Sequence, residues 1–130
     1  MSTGAQPTSS GTQYMILIYE SEQHWAAMSE EESRRAFGEY IAYSEAMAAA
    51  GVARAGAPLH PTATATTVRL RDGKVTTTDG PFAETKEQLG GYYIIEVDGL
   101  DTALEWAARC PGARGGSVEV RPVMAVPAMA

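Results

Sequence analysis

The chain is 130 residues long, 45% hydrophobic and 20% charged, a balance that suits one folded domain with a core of its own. Its formal net charge of −6 argues against a nucleic-acid module, which would need clustered Lys and Arg to grip phosphates. A lone Cys110 excludes an intrachain disulfide, His24 and His60 lack metal-ligand spacing, and no run reaches the roughly 20 apolar residues of a membrane helix. A soluble cytoplasmic protein without metal or other cofactor is expected.

Met1 to Thr12 is rich in Ser, Thr and Gly without an apolar run, so a flexible leader is expected there, not a secretory signal. A single domain is expected over residues 13–126, with a tail at 127–130. Gln13 to Tyr19 reads as a strand apolar on both faces, and such a strand must be covered on both. Glu20 to Met28 reads as a loop carrying His24 and Trp25. Ser29 and Glu32 then form a capping box, and Glu30, Glu31 and Glu32 suit the positive end of a helix dipole. Phe37, Tyr40, Ile41, Ser44, Met47 and Ala48 supply one apolar stripe, and Gly51 stops a helix over Glu30 to Ala50. The acidic excess at Glu20, Glu22 and Glu30 to Glu32 is expected to be a solvated helix start.

A short strand is expected at Ala53 to Ala55 and a turn at Gly56 to Pro58. Ala65 to Arg71 and Lys74 to Thr78 read as a hairpin around Asp72-Gly73, a dipeptide that tight hairpin turns prefer. Val68 and Leu70 alternate with Arg69 and Arg71, so one side of this hairpin is expected to face the core. Thr78 to Glu87 is too long and too charged for a minimal turn. Gly80-Pro81 stiffens it and Phe82 is expected to anchor it on something apolar, so it reads as an ordered recognition loop. Gly91 to Val97 is a second strand apolar on both faces. Asp98 to Asp101 opens a second helix with Leu100, Ala103, Leu104 and Ala107 inward, Pro111-Gly112 ends it, and Ser117 to Val123 is a closing strand.

This order, with right-handed crossovers, predicts an α+β ferredoxin-like sandwich: a mainly antiparallel sheet with two helices on one face. The strands at Tyr14–Tyr19 and Tyr92–Ile95 then leave the other face apolar and bare. A second copy packed sheet to sheet, a homodimer forming an α/β barrel, is the expected cover.

Thr78-Asp79-Gly80-Pro81-Phe82-Ala83-Glu84-Thr85-Lys86-Glu87 resembles the signature of the DGPF-domain branch of the YCII-related family. Tyr14 to Glu20, Leu59-His60-Pro61-Thr62, Gly90-Gly91-Tyr92 and Arg109-Cys110-Pro111 are similar to that branch too. The resemblance spans Gln13 to Val126 and implies a ferredoxin-like protomer in a dimeric α/β barrel, with no assigned reaction. The wider family's suspected catalytic pair is a histidine on the first helix and an aspartate before a proline after the second. Those places are held here by Tyr40 and Cys110, so the resemblance carries over no activity resting on that pair.

Asp79, at a strand end beside Gly80, is a candidate general base or acceptor, which needs a carboxylate held near its target proton. The competing structural reading has Asp79 capping the Gly80-Pro81 turn. His60 and Glu84 are the other catalytic candidates. His60 can change charge near neutral pH, although a lone loop histidine is more often structural. Lys86 offers charge to an anionic group, and Arg69 to Asp79 or an anion; exposed charges that pair only with each other are the plainer reading. Trp25 and Phe82 are candidate pocket rings, and Tyr19, Tyr40 and Tyr92 are candidate binding hydroxyls that equally suit core packing. Cys110 reads as a buried, inert thiol.

Two functions fit. One is a small-molecule-binding dimer, a cofactor-independent enzyme of proton-transfer chemistry, with its pocket between sheet and helices and the Asp79–Lys86 loop at the rim. The alternative is a non-enzymatic regulatory or protein-interaction module, which the resemblance links to sigma-factor-dependent transcription, without membrane or direct nucleic-acid contact.

Overall fold

A computed structural model describes residues 11–127; the expected leader up to residue 10 and the last three residues of the tail lie outside the described residues. The first strand, β1 (Thr12–Glu20), begins within the expected leader. The expected loop after it contains a short helix, α1 (Glu22–Ala26), because Ser21 caps it by accepting from the His24 amide at 3.2 Å. Then follows the long helix α2 (Glu30–Ala49). Its capping box forms as read: the Glu32 amide donates to Ser29 Oγ at 3.1 Å, and the Ser29 amide to Glu32 Oε1 at 2.9 Å. Gly51, at φ 76°, takes the left-handed turn that ends it.

The remaining elements are β2 (Ala53–Pro58), which runs through the expected turn, a single 3-10 turn (Thr62–Thr64), β3 (Thr66–Arg71), β4 (Lys74–Asp79), β5 (Gln88–Val97), α3 (Leu100–Arg109), the single-turn α4 (Gly112–Gly115) and β6 (Ser117–Pro122). The fold is mixed α+β. One sheet has the order β2-β5-β1-β6, every pair antiparallel, and β3-β4 forms a second sheet of its own. No helix among the described residues is long and apolar enough to cross a membrane.

Register fixes which side chains share a face. Ile16 lies opposite Tyr93 and Val120, Tyr14 opposite Ile95, and Ile18 opposite Gly91 and Val118. These pack with Tyr43 and Met47 of α2 and with Ala103 and Cys110, so both long helices cover the same side. Met15, Leu17, Tyr92 and Ile94 pair with one another on the opposite side and remain partly exposed. The two-faced character read from β1 and β5 is therefore real.

The buried face of α2 differs from the expected stripe. Phe37 and Ile41 are 57% and 59% exposed, while Tyr43 and Met47 are buried. The helix is rotated so that Tyr40, Tyr43, Ser44 and Met47 meet the sheet. Tyr43 tolerates burial because its hydroxyl donates to the Trp106 carbonyl at 2.7 Å and its ring meets Tyr93 edge-on at 5.4 Å. In α3, Ala103 and Ala107 are buried whereas Leu100 and Leu104 face outward, since small residues let the helix lie close to the strands.

The hairpin also departs from expectation. Its turn is as read, with Asp72 at φ 51° and Gly73 at φ 75°. Neither of its sides faces the core, and Val68, Leu70 and Val75 are 62%, 63% and 69% exposed.

Candidate functional site

Of the segment Thr78 to Glu87, expected to be a recognition loop, residues 78 and 79 belong to β4 and the remaining residues 80–87 are held at both ends. The Gly80 amide donates to the Ala65 carbonyl at 2.7 Å, and Thr67 Oγ1 donates to the Gly80 carbonyl at 2.8 Å. Gly80 is at φ 99°, a conformation costly for any side chain. At the other end Gln88 Nε2 donates to the Thr85 carbonyl, and Ser117 Oγ to Glu87 Oε1 at 2.8 Å. Between them Phe82 is 80% exposed and anchors nothing, contrary to expectation. Asp79 does not cap the turn; the Gly80 amide goes to Ala65 instead.

Asp79, His60, Glu84, Arg69 and Lys86 are exposed and do not gather in one cavity. Asp79 pairs with Thr66 at the hairpin base, and no ion pair joins it to Arg69 among the described residues. The segment carrying His60 is fastened by Glu22, which accepts from the Thr62 amide and the Thr62 hydroxyl, each at 2.7 Å. The Glu22 amide in turn donates to Gln88 Oε1 at 2.9 Å. Glu22 is thus a staple and not the solvated charge expected from the acidic run. Tyr19 pairs with Leu89 and Ser117 at the sheet end, and Tyr92 lies on the open sheet face opposite Leu17.

Trp25 and Tyr40 do converge. They line a cleft of about 180 Å³ with Glu20, His24, Glu39 and Arg114. The local sequence builds it. The strand β1 ends at Glu20, and the short helix α1 turns Trp25 back onto α2, its ring 5.6 Å from Phe37. Tyr40 Oη donates to Glu20 Oε1 at 3.0 Å, joining helix to strand end at the cleft floor. Glu20 Oε2 takes no hydrogen bond among the described residues. At the mouth Arg114 of α4 pairs with Glu39 of α2.

Close approach of α4 to this pair depends on glycine. A Cβ built on Gly112 would sit 2.7 Å from Tyr40 Oη and 2.7 Å from Ile18 Cγ2, and one on Gly116 would press on the Tyr19 carbonyl and Glu20. Burial pushes the Tyr40 hydroxyl well above the ordinary tyrosine range, and neighbouring Cys110 and Glu20 push it further. Tyr40 therefore stays a neutral donor at physiological pH. Burial likewise raises the Cys110 thiol, with the Gly112 amide and Tyr40 hydroxyl partly opposing, so Cys110 is held protonated as read. A phenol beside a carboxylate with one free oxygen can orient a donor group and exchange a proton with it.

Sequence reasoning missed Glu20, Glu39, Arg114 and Gly112. Charge alone groups Glu20 with the solvated acids, and its place directly after an apolar strand is the signal that sets it apart. Among the described residues no three His, Cys, Asp or Glu side chains gather as metal ligands would.

An uncharacterized protein of Rhizobium meliloti (strain 1021) is 41% identical over 112 residues, which are 85% of this chain and 90% of that protein. The YCII-related domain matches residues 12–127. The chain belongs to the YCII-related family. In this YCII-related chain, the two places at which the resemblance expects a histidine and an aspartate are neighbours in space. Tyr40 lines the cleft, whereas Cys110 is buried behind it in the core.

Proposed function

We propose that this YCII-related chain is a homodimeric small-molecule-binding protein, a cofactor-independent enzyme of proton-transfer chemistry whose centre is the Glu20–Tyr40 pair. The observation that carries this reading is the 3.0 Å hydrogen bond between those side chains at the floor of a concave cleft. Glu20 Oε2 is the acceptor for a ligand proton, Tyr40 fixes the carboxylate, and Trp25 offers an apolar wall. Asp79, His60 and Glu84, the candidates from sequence, hold no comparable geometry. The finer placement follows the same reading. The Asp79-Gly80-Pro81-Phe82 string supports the DGPF-domain branch, and the order β2-β5-β1-β6 under two helices supports a ferredoxin-like protomer. The open apolar face of Met15, Leu17, Tyr92 and Ile94 supports pairing sheet to sheet as a dimeric α/β barrel.

A thermal-shift screen of a metabolite library against wild type, Glu20→Gln and Tyr40→Phe tests the ligand site. At least one compound should raise the wild-type Tm and lose most of that effect in both variants. No stabilising compound, or equal stabilisation of all three proteins, contradicts the proposal.

A further inference from the structure

The β3–β4 hairpin is amphipathic by register. Val68 lies opposite Thr77 and Leu70 opposite Val75, so these four share one face, with Thr66 and Asp79 at its base. The other face carries Arg69 opposite Thr76 and Arg71 opposite Lys74. Nothing among the described residues covers the apolar face, and the two strands pack extensively only on each other. A lone two-stranded hairpin is marginally stable in water, and one with an apolar side uncovered is an unfinished element.

Area identifies the cover. In the homodimer proposed above, on which this inference rests, the apolar side chains Met15, Leu17, Tyr92 and Ile94 of the open sheet face are already partly buried and offer little new area. A standard interface needs roughly 800 Å² per partner. Val68, Leu70 and Val75, each about two-thirds exposed, add roughly 100 Å² apiece. The arm is rooted where it can reach outward: the Gly80–Ala65 bond closes its base at the sheet end that also holds Glu20.

We infer that the β3–β4 hairpin is a docking arm that lays its Val68, Leu70 and Val75 face on a second copy of this chain. Sedimentation equilibrium of wild type and of the double variant Leu70→Asp, Val75→Asp tests it, with circular dichroism reporting the fold. The variant's dimer should be weaker by about tenfold or more. In the wild type, amide exchange across residues 66–79 should quicken when the protein is diluted from dimer to monomer. An undiminished dimer in a folded variant overturns the arm while leaving the sheet-face dimer standing. A wild-type monomer overturns both. Should the variant not fold, wild-type exchange at residues 66–79 that ignores dilution overturns the arm by itself.

Discussion

Tyr40 and Glu20, twenty residues apart in sequence, share a 3.0 Å hydrogen bond that ties α2 to the end of β1. Its structural share can be measured with a single substitution. Tyr40→Phe keeps the ring and removes the donor. It should lower the unfolding free energy by about 1 kcal/mol, the usual net worth of such a bond at a half-buried site. Urea unfolding measures this, and an unchanged midpoint would mean that the bond contributes nothing to the fold.

Gly112 is predicted to be a positioning residue for that pair. In Gly112→Ala the new methyl would meet Tyr40 Oη and Ile18 Cγ2 at 2.7 Å, so something must shift. Overpacking of this kind costs about 1–3 kcal/mol. The Tyr40→Phe background discriminates: the shorter side chain relieves one of the two clashes, so the glycine substitution should cost less there than in wild type. Equal costs in both backgrounds would contradict a clash with the hydroxyl.

Alkaline pH should destabilise the protein through its buried phenols. Burial raises the hydroxyls of Tyr40, Tyr43 and Tyr93 above the ordinary tyrosine value, with the Ser44 hydroxyl partly opposing at Tyr93. An unfolded tyrosine loses its proton near pH 10. Above that, the unfolded chain binds fewer protons than the native one, so stability falls as pH rises. The contribution is complete below about pH 10 and is lost progressively as pH climbs toward the folded values. Tyrosinate absorbance should therefore appear together with unfolding for these three groups. Their ionisation in a still-folded protein near pH 10 would contradict the burial account.

The rotated face of α2 makes a sharper prediction than the amphipathic pattern did. Met47→Ala should cost about 2–5 kcal/mol, because Met47 is fully buried between helix and sheet. Ile41→Ala should cost well under 1 kcal/mol in the isolated protomer, since its side chain is mostly in water. Guanidinium unfolding of both variants decides whether the stripe centres on Tyr43 or on Ile41.

Much of the fold was legible because it rests on local chemistry. Ser29 and Glu32 mark a helix start wherever they fall, and Asp72-Gly73 supplies the positive φ of a tight turn. The two-faced runs at β1 and β5 announced a sheet with a second side to cover. Helix faces were harder. Phe37 and Ile41 obey the same three- and four-residue spacing as Met47, and only the hydroxyl partners of Tyr43 and Tyr93 select the rotation. The candidate site was the least legible part. Conspicuous charges and the Gly80-Pro81 pair sit in the Asp79–Lys86 loop, whereas the cleft joins Glu20, Tyr40 and Arg114 from three distant segments, each unremarkable where it stands. Spacing along a chain carries no trace of such a convergence.

Chemical-shift mapping by NMR, titrating the uniformly labelled protein with each compound that stabilises it, tests the cleft most directly. The largest amide shifts should fall at Glu20, Trp25, Tyr40, Gly112 and Arg114, and should vanish in Glu20→Gln. Shifts centred instead on His60 and on residues 79–87, with the cleft amides unmoved, would contradict the assignment of the site.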